Sequence, residues 1–259
     1  MRPSSSFECA AETHVGCVRT HNEDNFVARP EVGLWAVADG MGGHQAGEVA
    51  SATVVEALKL VHEASSAADL LKSCEESLTA SNNAIRAIAA ERDLEVIGTT
   101  VVVLLTFNTH FACLWSGDSR AYLVRDGTIA QITRDHTEVE ELLAAGSLTL
   151  EQAKTWPRRN VITRAIGVFD VPEIDMNYGT LEPDDTFVLC SDGLTAHVET
   201  DEIQEIVKSN GSKEACNELI QRTLARGATD NVTVIIVKYK PKRSITIAYP
   251  DPAFAAAQG

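Results

Sequence analysis

The sequence predicts an α+β fold: two packed antiparallel β-sheets flanked by helix pairs, with a helical flap insertion. Three observations predict it. Short strand-like apolar runs recur along the chain, and the helices cluster between them instead of alternating with each strand, the pattern of segregated α+β layers. Two long helical patterns each carry an apolar stripe on one side, and facing sheets with helices outside would bury both stripes. Finally, the stretch 136–166 breaks the strand rhythm with two short capped helices, as a lid or substrate platform inserted between strands does.

The elements follow in order. Phe7 to Val18 reads as one strand or two, followed by a polar turn from Arg19 to Asn25. Phe26 to Ala28 and Leu34 to Ala38 read as strands around a loop containing Pro30, and the glycine-rich Gly40 to Gly47 leads into a helix. Val49, Thr53, Val54, Ala57, Leu58 and Val61 fall at helical spacing there. Asp69 is the expected cap of a second long helix whose stripe includes Leu71, Cys74, Leu78, Ile85 and Ile88. Strands follow at Thr99 to Phe107, Phe111 to Trp115 and Ala121 to Arg125, and Asp126-Gly127 marks a two-residue hairpin into Thr128 to Ile132. In the insertion, Thr137-x-x-Glu140 and Thr149-x-x-Gln152 are capping-box patterns, closed by Gly146 and Pro157. Strands resume at Met176 to Leu181 and Phe187 to Cys190, Ser212 to Arg226 forms a helix ended by Gly227, and Val232 to Tyr239 is the last core strand. Residues 1–240 are expected to form a single domain with the flap at about 136–166, and 241–259 a C-terminal tail.

Composition narrows the classes of function. The chain has 259 residues, 44% of them hydrophobic and 23% charged, enough for a sizeable core. Its formal net charge of −15 disfavours nucleic acid and anionic membranes as partners. No apolar run reaches the length of a membrane span. The polar Met1 to Ser6 lacks a signal peptide's apolar core. The six cysteines are scattered without a Cys-x-x-Cys pair, so a reduced, cytoplasmic protein without a disulfide framework is expected.

Four acidic signatures adjoin strand-like runs: Ala38-Asp39-Gly40, Ser116-Gly117-Asp118-Ser119, Cys190-Ser191-Asp192-Gly193 and Thr229-Asp230-Asn231-Val232. In the first three the run leads into the aspartate, and in the fourth it leads away. Antiparallel pairing sets the end of one strand beside the start of its neighbour, so all four carboxylates are expected on one rim. Clustered carboxylates need positive charge among them to stay ionised, and oxygen-only ligands favour a hard cation such as Mg²⁺, Mn²⁺ or Ca²⁺.

The ordered set Arg19-Thr20-His21-Asn22-Glu23-Asp24, Asp39-Gly40-Met41-Gly42-Gly43, Gly98-Thr99-Thr100, Gly117-Asp118-Ser119-Arg120, Asp135-His136, Ser191-Asp192-Gly193 and Asp230-Asn231 resembles the metal-dependent type-2C serine/threonine protein phosphatases, in their bacterial form. Each motif alone is weak; seven in order, from about residue 13 to about residue 239, are specific. The resemblance implies a four-layer sandwich and hydrolysis of phosphoserine and phosphothreonine by a water bridging two Mn²⁺ or Mg²⁺ ions, with a third, weaker ion beside them. It also implies site roles. Asp39 is the bridging ligand, Asp192 and Asp230 complete the first metal site, and the Gly40 carbonyl joins Asp39 at the second, where Glu23 binds through water. Asp118 shares the third ion with Asp192. Asp24 orients metal-bound water, Asn231 fixes Asp230, and the Arg19 fork suits a phosphate. Where eukaryotic members carry a histidine as general acid, this chain has Met41, and His44 is the nearby substitute.

Phosphoprotein substrates and a cognate serine/threonine kinase are the implied partners, with the protein acting as a monomer. Gly98-Thr99-Thr100 is expected to serve packing at a strand start, His136 to fix a loop through Asp135, and Arg158-Arg159 to be a solvated pair. The rival reading is a non-catalytic relative that binds phosphoproteins and uses metals as staples. A cysteine nucleophile in a Cys-x5-Arg loop, a phosphoaspartate route and a P-loop are not expected, the last two because neither Asp-x-Asp after a strand nor Gly-x4-Gly-Lys-Ser/Thr occurs.

Overall fold

The computed structural model describes residues 6–42, 46–92 and 96–241. The elements are β1 (Phe7–His14), β2 (Asp24–Arg29), β3 (Leu34–Met41), α1 (Ala46–Lys59), α2 (Ala67–Glu91), β4 (Gly98–Thr99), β5 (Val101–Phe107), β6 (His110–Ser116), β7 (Arg120–Arg125), β8 (Thr128–Gln131), α3 (Glu138–Ala144), α4 (Leu150–Lys154), β9 (Asp175–Thr180), β10 (Thr186–Cys190), α5 (Asp192–Thr195), α6 (Thr200–Ser209), α7 (Ser212–Ala225) and β11 (Val232–Tyr239). One sheet has the order β1-β11-β10-β7-β8; the other has β2-β3-β5-β6-β9, with β4 paired to β3. Every paired strand is antiparallel.

Successive strand side chains point to opposite faces, and three apolar layers result. Trp35, Val37, Val102 and Leu104 of one sheet meet Phe187, Leu189, Ile235 and Val237 of the other. On the outer face of the first sheet, Leu34, Ala36, Ala38, Val101 and Val103 pack on Ala50, Val54 and Leu58 of α1 and Cys74, Leu78 and Ile85 of α2. On the outer face of the second, Val188, Val232, Val234 and Ile236 pack on Ile203, Ala215, Cys216 and Leu219 of α6 and α7. Strands buried on both faces explain the unbroken apolar runs in the sequence. The four-layer α+β sandwich is as expected.

Several local expectations need correction. Strand β1 stops at His14, and Cys17 and Val18 lie beyond it. The buried face of α1 runs through Ala46, Gly47, Ala50, Ser51, Val54, Val55 and Leu58 rather than Val49, Thr53 and Ala57, because small residues let the helix approach β3 closely. Helix α2 is capped by Ser66, whose hydroxyl accepts from the Asp69 N–H at 3.1 Å; Asp69 is the third helical residue. The turn at Asp126-Gly127 has φ of 49° and 75°, which suits a two-residue hairpin. Thr149 and Gln152 form the full capping box, whereas at α3 the cap bond runs from the Glu140 N–H to Thr137. Isolated bridges Thr137↔Ile162 and Thr99↔Ile166 close the base of the insertion. Among the described residues no helix is long and apolar enough to cross a membrane, and all six cysteines are free. His44 and the tail beyond Pro241 lie outside the described residues.

Candidate active site

Two topological facts bring the aspartates together. Strands β3 and β6 both pair antiparallel with β5, so their C-terminal ends, carrying Asp39 and leading to Asp118, share one edge. Strands β10 and β11 pair with Cys190 opposite Val234, so the residues after β10 and before β11, Asp192 and Asp230, lie side by side. Asp24 faces Asp39 directly across β2 and β3. Distant parts of the sequence thus meet on one rim between the sheets.

The electrostatics confirm the proximity. The Asp39 carboxyl is held well above the usual carboxylate range, first by burial and then by the charges of Asp24, Asp192, Asp118 and Asp230. Asp24 and Asp118 are each pushed up to about 7, first by burial and, among their neighbours, by Asp192. Asp192 is raised by burial and by Asp230, while a hydrogen bond with Asp39 works the other way.

Asp24 and Asp230 have identifiable hydrogen-bonded support. Asp24 Oδ2 accepts from Ser191 Oγ and Thr233 Oγ1, both at 2.7 Å, while its buried Oδ1 has no hydrogen-bond partner. Asp118 Oδ1 is likewise buried and unpartnered. Asp230 Oδ1 receives the Asn231 N–H at 2.9 Å and its Oδ2 receives Arg19 Nη2 at 2.7 Å. Asn231 reaches further: its amide oxygen accepts from the Glu23 N–H, and its amide nitrogen donates to the carbonyls of Val15 and His21. It therefore ties together the segments bearing Arg19, Glu23 and Asp230. Burial raises the Glu23 carboxyl, Arg19 opposes that shift, and the Gly47 N–H in the first turn of α1 bonds to the carboxylate.

Glycine is needed at Gly40. A Cβ there would lie 2.1 Å from the Gly47 carbonyl oxygen and 2.7 Å from that of Glu23, so only a bare backbone fits between α1 and the Glu23 turn.

The donor set is all oxygen, which suits a hard divalent cation, and the two unpartnered buried carboxylate oxygens support the same fit. As the side chains stand, no three His, Cys, Asp or Glu residues among the described residues form a ready-made ligand group; Asp230 is turned to Arg19 and Asp24 to its two hydroxyls. Arg19 thus engages Asp230 through Nη2.

Other motifs find definite places. Arg120 grips Asp135 through Nε and Nη2, at 3.0 and 2.7 Å. His136 Nδ1 accepts from the Gly117 N–H at 3.2 Å, its Nε2 faces Asp175 Oδ2 at 3.1 Å, and its ring stacks on Trp115. Both ring nitrogens of His136 are therefore engaged in holding the loop before Asp118. Met41 ends β3 opposite Gly98 and offers no acid. Arg158 pairs with Glu138 at 2.8 Å. Cys216 does have Arg222 at Cys-x5-Arg spacing. Both lie within α7, the thiol is buried and pushed up to about 12, and no phosphate-cradling loop exists there.

Sequence reasoning missed Ser191 and Thr233 as partners of Asp24, and assigned Thr99 and Thr100 to packing. Thr99 Oγ1 donates to the Asp39 carbonyl at 2.9 Å, and Thr100 Oγ1 accepts from the Asp39 N–H at 3.2 Å. The available signal was a hydroxyl residue beside three of the motif aspartates: Ser119 after Asp118, Ser191 before Asp192 and Thr229 before Asp230.

Comparisons with known proteins agree with this fold. The family profile described as Protein phosphatase 2C matches residues 6–142 and 153–232. The serine/threonine protein phosphatase PstP of Mycobacterium tuberculosis is 40% identical over 228 residues, covering 88% of this chain and 44% of the relative, so the chain spans under half of that protein. The serine/threonine phosphatase stp of Listeria welshimeri is 37% identical over 238 residues, covering 87% of this chain and 93% of the relative. A crystal structure of the PstP catalytic domain in complex with two manganese ions superposes with a TM-score of 0.81 at 38% identity, covering 90% of this chain and 97% of that one. With a family profile matching most of its length and a relative 37% identical along 93% of that relative's own length, the chain belongs to the protein phosphatase 2C family.

Proposed function

We propose that this chain is a metal-dependent protein serine/threonine phosphatase that hydrolyses phosphoserine and phosphothreonine esters at the aspartate rim. The observation that carries the reading is the convergence of Asp24, Asp39, Asp118, Asp192 and Asp230 within mutual electrostatic reach, two of them with an unpartnered buried oxygen. Asp39, Asp192, Asp230 and the Gly40 carbonyl would hold two Mn²⁺ or Mg²⁺ ions, with Glu23 reaching them through water and Asp118 serving a third, weaker ion with Asp192. Bound there, such ions supply a water of lowered pKa and neutralise the phosphoryl oxygens.

The chain's own residues orient the reaction. Asp24, anchored through Oδ2, presents Oδ1 as an acceptor that aligns a water hydrogen. Arg19 is on the rim with its side chain 52% exposed. With Asp230 holding a cation, the Arg19 guanidinium would be free to take two phosphoryl oxygens as a planar fork. Asn231 keeps Glu23 and Asp230 in register. The leaving alkoxide takes its proton from solvent, since Met41 stands where the eukaryotic members of the type carry a histidine acid.

The finer setting follows from the same reading: a monomeric cytoplasmic enzyme that reverses a bacterial serine/threonine kinase. The names of the relatives, serine/threonine phosphatases of bacteria, support that substrate class. The test is the Asp192→Asn variant, motivated by the hydrogen bond that joins Asp192 to Asp39. Turnover of a phosphothreonine peptide is expected to vanish while circular dichroism stays native. Parent-like rates in the folded variant contradict the reading.

A further inference from the structure

The side chain of Thr100 falls in the gap between β4 and β5 and is buried against strand β3, which carries Asp39, and the loop that carries Asp118. Its hydroxyl accepts from the Asp39 N–H at 3.2 Å, and its own N–H donates to the Asp39 carbonyl at 2.8 Å. The same hydroxyl lies 2.7 Å from Ser119 Oγ, in a buried contact. Because the oxygen already accepts from Asp39, its proton is free to go to Ser119, the residue after Asp118. The methyl half is used as well. Gly117 sits at φ 109°, and a Cβ there would lie 2.6 Å from both Cβ and Cγ2 of Thr100. One side chain therefore grips the backbone of Asp39 on strand β3 and, through a hydroxyl pair, the loop that turns from β6 in one sheet to β7 in the other.

We infer that the Thr100–Ser119 hydroxyl pair is a positioning device that sets the separation of Asp39 from Asp118, and so tunes how tightly this rim binds divalent cations. The inference rests on the metal-dependent reading above. A loop between sheets drifts with the sheet packing; a buried hydroxyl bridge fixes it to the strand bearing Asp39. Groups that orient ligands from behind change metal affinity by about 10–100-fold when removed.

Three variants separate the two halves of Thr100. Thr100→Val keeps the shape and the methyl contact with Gly117 but removes the hydroxyl. Thr100→Ser keeps the hydroxyl and removes the methyl. Ser119→Ala leaves the bond to Asp39 intact and removes only the bridge. The readout is Mn²⁺ affinity of the metal-free full chain by titration calorimetry, which is independent of turnover. Thr100→Val is expected to bind Mn²⁺ about 10–100-fold more weakly, Ser119→Ala to be weakened in the same direction, and Thr100→Ser to stay close to the parent. Parent-like affinity in Thr100→Val, or a loss in Thr100→Ser equal to that in Thr100→Val, overturns the inference. Should Thr100→Val fail to fold, Ser119→Ala decides, and parent-like affinity there overturns it. A parent chain that binds no Mn²⁺ at all is a different outcome, and removes the metal reading itself.

Discussion

At the residue scale, Asp24, the Asp39 backbone and Asp230 are held by neighbours of small, polar character. Asn231 is the fullest case, with three bonds from one side chain to Glu23, Val15 and His21. Asn231→Ala leaves those backbone groups without their partner, and is expected to destabilise the protein by about 1–3 kcal/mol in urea denaturation. A value near zero would show that water replaces the amide. The aspartates themselves were legible in the sequence because their motifs come in a recognisable order. Asn231 was legible too, within its motif, but the hydroxyl supporters were not. Ser191, Thr233 and Thr100 are ordinary serine and threonine, common on any strand, and only the fold brings Ser191 and Thr233 to Asp24 or Thr100 to Asp39.

At the scale of elements, α1 and the turn before β2 close on the rim through glycine. Gly40→Ala puts a Cβ 2.1 Å from the Gly47 oxygen, and backbone on both sides leaves little room to yield. A cost of about 1–3 kcal/mol is expected from such overpacking, read as a lower Tm; an unchanged Tm would mean that α1 shifts freely. The flap is tied down by His136, whose ring bonds Gly117 and Asp175 and whose main chain bonds Gly117 and Thr163. His136→Ala is therefore expected to speed amide exchange across residues 137–163, with the two sheets unaffected; uniform exchange rates would deny it that role. Strands were readable because burial on both faces leaves long apolar runs. Helix ends were less so: Ser66 and Asp69 both suit a cap, and only the Ser66 backbone, extended at φ −149°, settles which one does it. The acidic first turn of α6, with Asp201 and Glu202, hid a helix whose buried face is only Ile203, Ile206 and Val207.

At the scale of the whole molecule, a chain of net charge −15 concentrates several carboxylates between two sheets. Asp24 and Asp118, pushed up to about 7, bind protons in the folded state that the unfolded chain releases near its ordinary carboxylate range. Their contribution to stability is thus fully present below about pH 4 and is lost as pH rises through about 7. In EDTA, the Tm is expected to fall as pH rises across that window, and Mn²⁺ to restore it at the alkaline end by binding the folded state alone. A Tm in EDTA that rises steadily with pH would contradict the crowding of these groups. The two-sheet architecture was legible from the order of elements, but the meeting of Asp39 with Asp192 depends on packing one sheet on the other, which periodicity does not encode.

The most direct measurement is phosphate release from a phosphothreonine peptide by the chain stripped with EDTA and then given Mn²⁺. The account predicts no turnover after stripping and recovery on adding Mn²⁺. Full activity after exhaustive chelation, or none with Mn²⁺ present, would contradict it.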